Sequence, residues 1–248
     1  MSPEEFKDRF NILWDNIMSN AALGINGYEI SVCLTKAQDE LMKDYFNPKG
    51  NKYAEGFDDN PRRQMFFGKL IRKAVVPLTS DINSFNSKAK VGELPTNVFA
   101  ILNESLVLTG NDDTEETRVV KPISMDEYAR LMSKPYKYPL KNQAWRLITD
   151  IRSASPLVEI IMSNVDLVMT ATYKVQYIKY PDPIIVENLS SYSTSINNKT
   201  AVTACELDES VHEEILQRAV EIAKASYASD QSGQAQLQNQ ITVGQRSE

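Results

Sequence analysis

The sequence is poor in the residues on which most catalytic and metal sites depend. Its 248 residues include one histidine, His212, and two cysteines, Cys33 and Cys205, which lie far apart and form no CxxC pair. Two cysteines are too few for a disulfide framework or a cysteine-built zinc site, so we expect free thiols in a reducing compartment. Without a second histidine, an HExxH zinc site is excluded.

Phosphate-binding and serine-nucleophile motifs are absent as well. The nine glycines form no GxGxxG or GxxxxGK[ST] loop, and there is no GxSxG turn. No apolar run approaches the roughly 18 residues of a membrane-spanning helix, and the polar start MSPEEFKDRF has no signal-peptide core. These absences predict a protein without catalytic residues, cofactor, metal or membrane partner, made in a cytoplasm.

Excess positive charge is lacking too. The net charge is −6 and the pI is about 5.1. A general nucleic-acid binder must neutralise phosphates, so this balance argues against that class. The hydrophobic content of 42% and the charged content of 24% are those of an ordinary globular protein.

The first eighty residues are predicted to form three helices, because apolar side chains recur there at steps of three and four residues. Asn60 and Pro61 fit the cap and first position of the third helix, which we expect to end at Pro77. The three apolar stripes are Phe6, Phe10, Leu13, Ile17 and Ala21; Ile30, Leu34, Ala37, Leu41 and Tyr45; and Phe67, Leu70, Ile71 and Ala74.

The middle of the chain is predicted to be rich in β-structure. The stretches NVFAILNESLVLTG and TRVVKPI flank the acidic NDDTEE, which indicates a hairpin or two neighbouring strands. Ser124 and Glu127 have the spacing of a capping box, so SMDEYARLMS is predicted to be a short helix. Farther on, Tyr173, Val175 and Tyr177 alternate with polar residues, which is typical of a strand with one buried face.

A final helix is predicted in CELDESVHEEILQRAVEIAKASY, capped by Ser210 with Glu213 or by Asp208. His212 stands beside its apolar stripe at the helix entrance, where the ring tip can stay in water. A catalytic role would need a nucleophile or carboxylate brought close by the fold, and we favour a structural or interface role.

These elements predict an α+β fold: an antiparallel helical bundle of three N-terminal helices and one C-terminal helix, with an inserted β-rich region and a flexible C-terminal tail. The expected parts are residues 1–80 for the first part of the bundle, 81–203 for the insertion with its short helix, 204–228 for the closing helix and 229–248 for the extended tail.

Candidate binding residues fall in two places. Arg62, Lys69 and Lys73 follow one flank of the predicted third helix, where they can face a phosphate backbone or an acidic partner subunit. Together with His212 they are candidates for a subunit interface or a lumen. The polar tail cannot fold alone, but a small patch in it can add a strand to a partner's sheet. That patch is Leu237, Gln240, Ile241 and Val243.

One stretch has a weak likeness to a catalytic motif. Asp182 and Glu187 in PDPIIVENL have the order of acidic residues in metal-dependent nucleases. Leu189 stands where such a motif has its lysine, so the cation that would stabilise the transition state is missing. A proline-rich turn is the simpler interpretation.

Three stretches resemble a known family. CELDESVHEEILQRAVEIAKASY is similar to the closing helix of phage head-to-tail connector proteins, although Asp208 stands where their pattern has proline. YKVQYIKYPDPIIV resembles the strand and proline turn that precede that helix. The opening EEFKDRFNILWDNIMSNAALGINGYEISVCLTKAQDEL is similar to the first helices of ring proteins from crAss-like phages of gut Bacteroidetes.

The resemblance implies a structural protein of the virion neck or tail, assembled in the host cytoplasm. Connectors of this class form a homo-oligomeric ring, commonly of about twelve subunits, beneath the portal, and their tail contacts the portal. The implied partners are further copies of the chain, the portal protein, other tail or ring proteins and, transiently, the passing double-stranded DNA. An acidic wall lets that DNA slide.

Two alternatives stay open from the sequence. One is a later tail-ring or stopper protein of the same virion, whose partner is another ring. The other is a metal-dependent nuclease that uses Asp182 and Glu187.

Overall fold

A computed structural model describes residues 1–15, 24–47, 57, 60–80, 84, 86–110, 114–134, 138–140, 142–150, 155–163 and 169–227. The chain divides into two compact units. Unit 1 consists of Met1–Lys69 together with Pro181–Glu248, and unit 2 is the intervening Leu70–Tyr180.

The described residues form five α-helices and seven strands. The helices are α1 (Pro3–Asp15), α2 (Gly27–Phe46), α3 (Pro61–Phe66), α4 (Met125–Met132) and α5 (212–227). The strands are β1 (Ile71–Pro77), β2 (Ala89–Glu93), β3 (Val98–Thr109), β4 (Glu115–Pro122), β5 (Gln143–Asp150), β6 (Leu157–Ile161) and β7 (Thr170–Lys179).

Unit 1 is built on α1, α2 and α5. The ring of Phe6 lies 5.4 Å from that of His212, and the ring of Trp14 lies 5.8 Å from that of Tyr227. Both helices therefore advance in the same direction along this contact, and α1 packs parallel to α5. The helix α2 runs the other way along α5, because Glu40 pairs with Arg218 whereas Tyr45, farther along α2, bonds Glu214, an earlier residue of α5.

Local signals explain where these helices begin. Asn26 and Glu29 form a reciprocal capping box at the start of α2, with the Glu29 amide donating to the Asn26 side chain at 2.8 Å. At α5, the Asp208 carboxylate accepts from the Ser210 amide at 3.1 Å and caps a 3₁₀ turn that leads into the helix. Of the two predicted caps, Asp208 and Ser210, Asp208 is the N-cap of this turn.

Unit 2 contains one seven-stranded mixed sheet in the order β1-β7-β3-β4-β5-β6-β2. Every neighbouring pair is antiparallel except β4 and β5, which are parallel. Parallel neighbours need a crossover connection, and α4 lies in it. Its Tyr128, Leu131 and Met132 pack on a small apolar cluster that includes Trp145 and Leu147.

The sheet curls until its two outer strands meet. Thr79, just past β1, bridges to Val91 of β2 through backbone hydrogen bonds of 2.9 and 2.7 Å. A Cβ atom on Gly92 would lie 2.7 Å from side-chain atoms of both Val76 and Leu78, so the close approach of the two strands requires glycine there. The curl encloses the larger apolar core, which includes Leu106, Leu108, Val158, Ile160, Tyr173 and Val175.

The chain enters and leaves unit 2 at neighbouring positions. Ile71 at the start of β1 is directly opposite Ile178 near the end of β7. Unit 2 is therefore an insertion into the sequence of unit 1, carried on two adjacent antiparallel strands.

The α+β class agrees with the structure, but the predicted architecture of a helical bundle with an inserted β-rich region is wrong. A curled seven-stranded mixed sheet is a major part of the fold, and α1 and α5 are parallel. The predicted third helix ends at Phe66, and residues from Ile71 onward form β1. Gly68 weakens the helix, and the β-branched Val75 and Val76 fit a strand paired with β7.

Candidate functional site

His212 is held inside unit 1. Its side chain is buried, with the residue only 3% exposed. The amine of Met1 donates to Nδ1 at 2.7 Å, and Nε2 lies 3.2 Å from the Leu207 carbonyl oxygen. These partners fit a neutral ring that accepts at Nδ1 and donates from Nε2. The ring tip expected in water is thus enclosed by its own subunit.

Burial lowers the pKa of His212, and the nearby positive amine lowers it further. The hydrogen bond to Leu207 and the charge of Glu209 act in the opposite direction but are weaker causes. The neutral ring is therefore favoured in the folded protein, and its contacts join the start of α5 to α1.

The three predicted cations of the third helix do not share a flank. Arg62 lies on α3 and Lys69 in the 3₁₀ turn after it, both in unit 1, whereas Lys73 lies on β1 in unit 2. The neighbouring Arg63 is the buried one: its guanidinium lies over the Tyr45 ring, 5.5 Å from the centroid, and donates to two carbonyl groups at the end of α2.

Asp182 and Glu187 belong to a segment, residues 182–187, that runs antiparallel along α2 and that we call the strap. Gln38 donates to the Asp182 carbonyl oxygen at 3.0 Å, and the Val186 amide donates to the Ser31 hydroxyl at 3.1 Å. Polar Ser31 and Gln38 interrupt the buried face of α2, and this interruption is the sequence signal for the strap.

The two carboxylates of the nuclease alternative have separate cation partners. Asp182 pairs with Lys199 at 2.6 Å, and Glu187 pairs with Lys7 of α1 at 3.0 Å. Over the residues that the structure describes, no group of three His, Cys, Asp or Glu side chains could hold a metal ion. In this geometry both residues have a structural role, because their ion pairs hold the strap in place.

The cysteines are not bonded to each other, as expected. Burial raises the pKa of the Cys205 thiol to about 11, and its Sγ donates to Gln38 at 3.4 Å. Burial also raises the pKa of Cys33. Because the thiolate is the reactive form, both thiols are poor nucleophiles near neutral pH.

Unit 2 holds a polar cluster that the sequence does not reveal. Glu104 of β3 accepts from Arg146 of β5 at 2.7 and 3.3 Å and from the Tyr173 hydroxyl of β7 at 2.6 Å. The Glu104 and Arg146 side chains are only 10% and 11% exposed. Burial, then the bond to Glu104, raises the pKa of Tyr173, so its hydroxyl stays a proton donor.

The outer face of the sheet carries polar and cationic side chains. Lys73, Asn103, Ser105, Lys174 and Gln176 line an open groove of about 240 Å³ across β1, β7 and β3. Val75 and Val119, on the same face, are 65% and 68% exposed. Lys73 and Lys174 make no ion pair within the described ranges, so this face presents exposed valines and lysines together.

The two units differ in charge. Unit 2 has 14 Lys and Arg against 12 Asp and Glu, a net charge of +2, which leaves −8 for unit 1 within the total of −6. Some of the cations of unit 1 are paired within it, since Lys7, Arg9 and Arg218 each pair with a carboxylate. The acidic character of the chain thus belongs to unit 1.

The tail patch of Leu237, Gln240, Ile241 and Val243 lies outside the described residues. Among the helices that the structure describes, none is both long and apolar enough to cross a membrane.

A family model described as phage tail ring protein 3/4 matches residues 1–235. The chain belongs to this family. It is 46% identical over 253 aligned residues to Ring protein 4/5 of Bacteroides phage crAss001, with both chains covered in full. It is 30% identical over 230 residues to Ring protein 3 of the same phage, covering 90% of this chain and 95% of that one.

The resemblance to ring proteins of crAss-like phages is thereby confirmed. Membership of the phage tail ring protein family also confirms the coarse part of the functional prediction, a structural ring protein of a phage virion. Both curated relatives carry the name of a ring protein rather than of an enzyme.

Proposed function

We propose that the chain is the subunit of a closed homo-oligomeric ring, of about twelve copies, in a stack of related rings in a phage tail. One observation carries this proposal: two different ring proteins of a single phage each match the chain over at least 90% of its length. Subunits of one fold can build rings of matching diameter, and matching rings can stack on one another.

The same comparisons support a proposal for the position within the virion. The family description names the tail, and the relatives are Ring protein 3 and Ring protein 4/5. Both favour the later tail-ring position over a connector ring directly beneath the portal. Neighbouring rings are then the main partners, and the portal is the partner only if the ring lies first in the stack.

Binding rather than catalysis is the proposed activity. The carboxylates of the nuclease alternative are engaged in separate ion pairs, and both thiols have raised pKa values. The net charge of −8 on unit 1 suits a DNA channel, because repelled phosphates form no ion pairs that would slow the passing duplex.

Fractionation of virions tests the position. After dissociation, tails are separated from capsids that keep the portal, and each fraction is analysed by mass spectrometry and electron microscopy. We expect the protein in portal-free tails, as ring-shaped density. Retention with the capsid and portal would favour the connector position, and absence from virions would contradict the proposal.

The tail patch is the proposed contact with the adjacent ring. Removing residues 229–248 should leave a folded protein that no longer binds that ring, because Leu237, Ile241 and Val243 supply its apolar contacts. Circular dichroism checks the fold, and co-sedimentation measures ring binding. Ile241→Asp should reproduce the loss, whereas the control Ser232→Asp, outside the patch, should bind normally. Undiminished binding by the truncated protein would refute this role.

A further inference from the structure

Two exposed surfaces of the chain have complementary charges, one cationic and one acidic. The first is the outer face of the sheet, which we call the lysine–valine face and define by Lys73, Val75, Asn103, Ser105, Val119, Lys174 and Gln176. Val75 is directly opposite Lys174, Lys174 is opposite Ser105, and Ser105 is opposite Val119, so these four form one row across four strands. Lys73 and Gln176 lie opposite each other on the next row.

The lysines of this face are available to a partner. Lys73 and Lys174 are exposed and make no ion pair among the residues that the structure describes. Diagonal neighbours on adjacent strands lie about 7–8 Å apart, which is the separation expected for this pair. The groove of about 240 Å³ lies at this face, with the amides of Asn103 and Gln176 and the Ser105 hydroxyl as further hydrogen-bonding groups.

The second surface is the outward side of α1, which we call the acidic stripe and define by Glu4, Asp8, Ile12 and Asp15. These residues follow one another at steps of four, four and three, so they share a face of the helix. The opposite side of α1, with Phe6, Phe10 and Trp14, is buried in unit 1.

The carboxylates of the acidic stripe are also available to a partner. Glu4, Asp8 and Asp15 are exposed and make no ion pair within the described part of the chain, since Lys7 and Arg9 pair with other carboxylates. Ile12, between Asp8 and Asp15 on this face, is 59% exposed, so the stripe also presents an apolar side chain. Carboxylates four residues apart are separated by about 6 Å along the helix, close to the spacing of the two lysines.

We propose that the acidic stripe of one copy docks on the lysine–valine face of the next copy and forms the lateral contact of the ring. This inference rests on the proposed function. The carboxylates of Glu4 and Asp8 would pair with Lys73 and Lys174, and Ile12 would contact an apolar part of the same face. Because the two surfaces differ, the contact is heterologous, which is the arrangement that closes rings of identical subunits. The opposite net charges of the two units favour the same pairing over long range.

Charge reversal on either side tests the contact with the full-length chain. The variants are Lys73→Glu/Lys174→Glu and Glu4→Lys/Asp8→Lys, examined by sedimentation velocity over a range of protein concentrations at low salt. Each variant alone should self-associate about tenfold or more weakly than the unaltered chain, because like charges then face each other. A one-to-one mixture should recover assembly, since reversed faces meet reversed stripes and the remaining surfaces match as before.

The control Lys36→Glu/Lys43→Glu, on exposed lysines of α2, makes the same change in net charge as Lys73→Glu/Lys174→Glu, and it should assemble like the unaltered chain. Recovery in the mixture together with a normal control supports the contact. Unchanged assembly of both variants would overturn it and leave the ring proposal standing, since the fractionation of virions tests that separately. An unaltered chain that stays monomeric at every concentration would also overturn the contact.

Discussion

At the scale of single residues, His212 is a titratable side chain that has a structural role in the packing of α1 against α5. Its ring lies between Phe6, the Met1 amine and the Leu207 carbonyl, and among these described contacts Nδ1 faces a donor, so a proton added at Nδ1 finds no acceptor there. The charges that act on it come from the amine, Glu209 and Lys69, and Glu209 is too weak to offset burial. The fold therefore favours the neutral imidazole.

This preference predicts a loss of stability in acid. An unfolded chain has a histidine pKa of about 6.5, and the folded pKa is lower. As pH falls through 6.5 toward the folded pKa, His212 binds a proton in the unfolded state but not yet in the folded state. The free energy of unfolding therefore decreases. Thermal unfolding between pH 7.5 and 5 should show this decrease, and His212→Gln should flatten it. An unchanged slope in the variant would contradict the assignment.

The cluster of Glu104, Arg146 and Tyr173 is expected to contribute to the stability of unit 2. Because Arg146 is buried, Glu104→Leu should cost about 3–5 kcal/mol by leaving its charge without a partner. The double variant Glu104→Leu/Arg146→Met should recover much of that loss. Tyr173→Phe, which keeps the ion pair, should cost only about 1 kcal/mol. Urea denaturation measures all three, and additive losses in the double variant would refute the coupling.

At the scale of elements, the closure of the sheet depends on the absence of a side chain at Gly92. Gly92→Ala places a methyl group 2.7 Å from Val76 and Leu78, and the strands must separate to admit it. We expect a loss of about 1–3 kcal/mol in urea denaturation. Gly68→Ala is the matched control, since nothing lies within 4 Å of its Cβ position, and it should be almost neutral. Equal effects at both glycines would argue against a tight closure.

Elements with a strong local pattern could be predicted from the sequence. The α2 stripe is confirmed by burial of Ile30, Leu34, Ala37 and Leu41, whereas Tyr45 at its end is only partly buried. The capped α4 and the hairpin of β3 and β4 are also confirmed. In each case the apolar spacing and the capping residues lie close together in the sequence, so the prediction does not depend on distant parts of the chain.

Elements that depend on distant partners could not be predicted. Ile71 and Ala74 continue the apolar spacing of a helix, and only pairing with β7, a hundred residues later, makes their segment a strand. The Glu104–Arg146 pair could not be predicted for the same reason, since its members lie 42 residues apart on strands that are not neighbours in the sheet. Lys73, expected beside Lys69 on a helix, shares a face with Lys174 instead.

At the scale of the whole molecule, the inserted position of unit 2 predicts independent folding. Its larger core is formed by side chains of unit 2, and its ends are adjacent. A fragment of residues 70–180 should therefore show a cooperative urea transition and native-like circular dichroism, as inserted domains commonly do. A broad, non-cooperative transition would show that unit 2 needs the rest of the chain.

The adjacent entry and exit of unit 2 also determine how it would respond to force. A load that pulls residues 70 and 180 apart acts across the ladder between β1 and β7, so it opens the hydrogen bonds one after another from the Ile71–Ile178 end. Sequential opening needs less force than shearing the whole ladder at once. Under such a load the β1–β7 ladder would therefore open first, beginning where the chain enters and leaves unit 2, and the core side chains of these two strands, such as Val76 and Tyr173, would be exposed next.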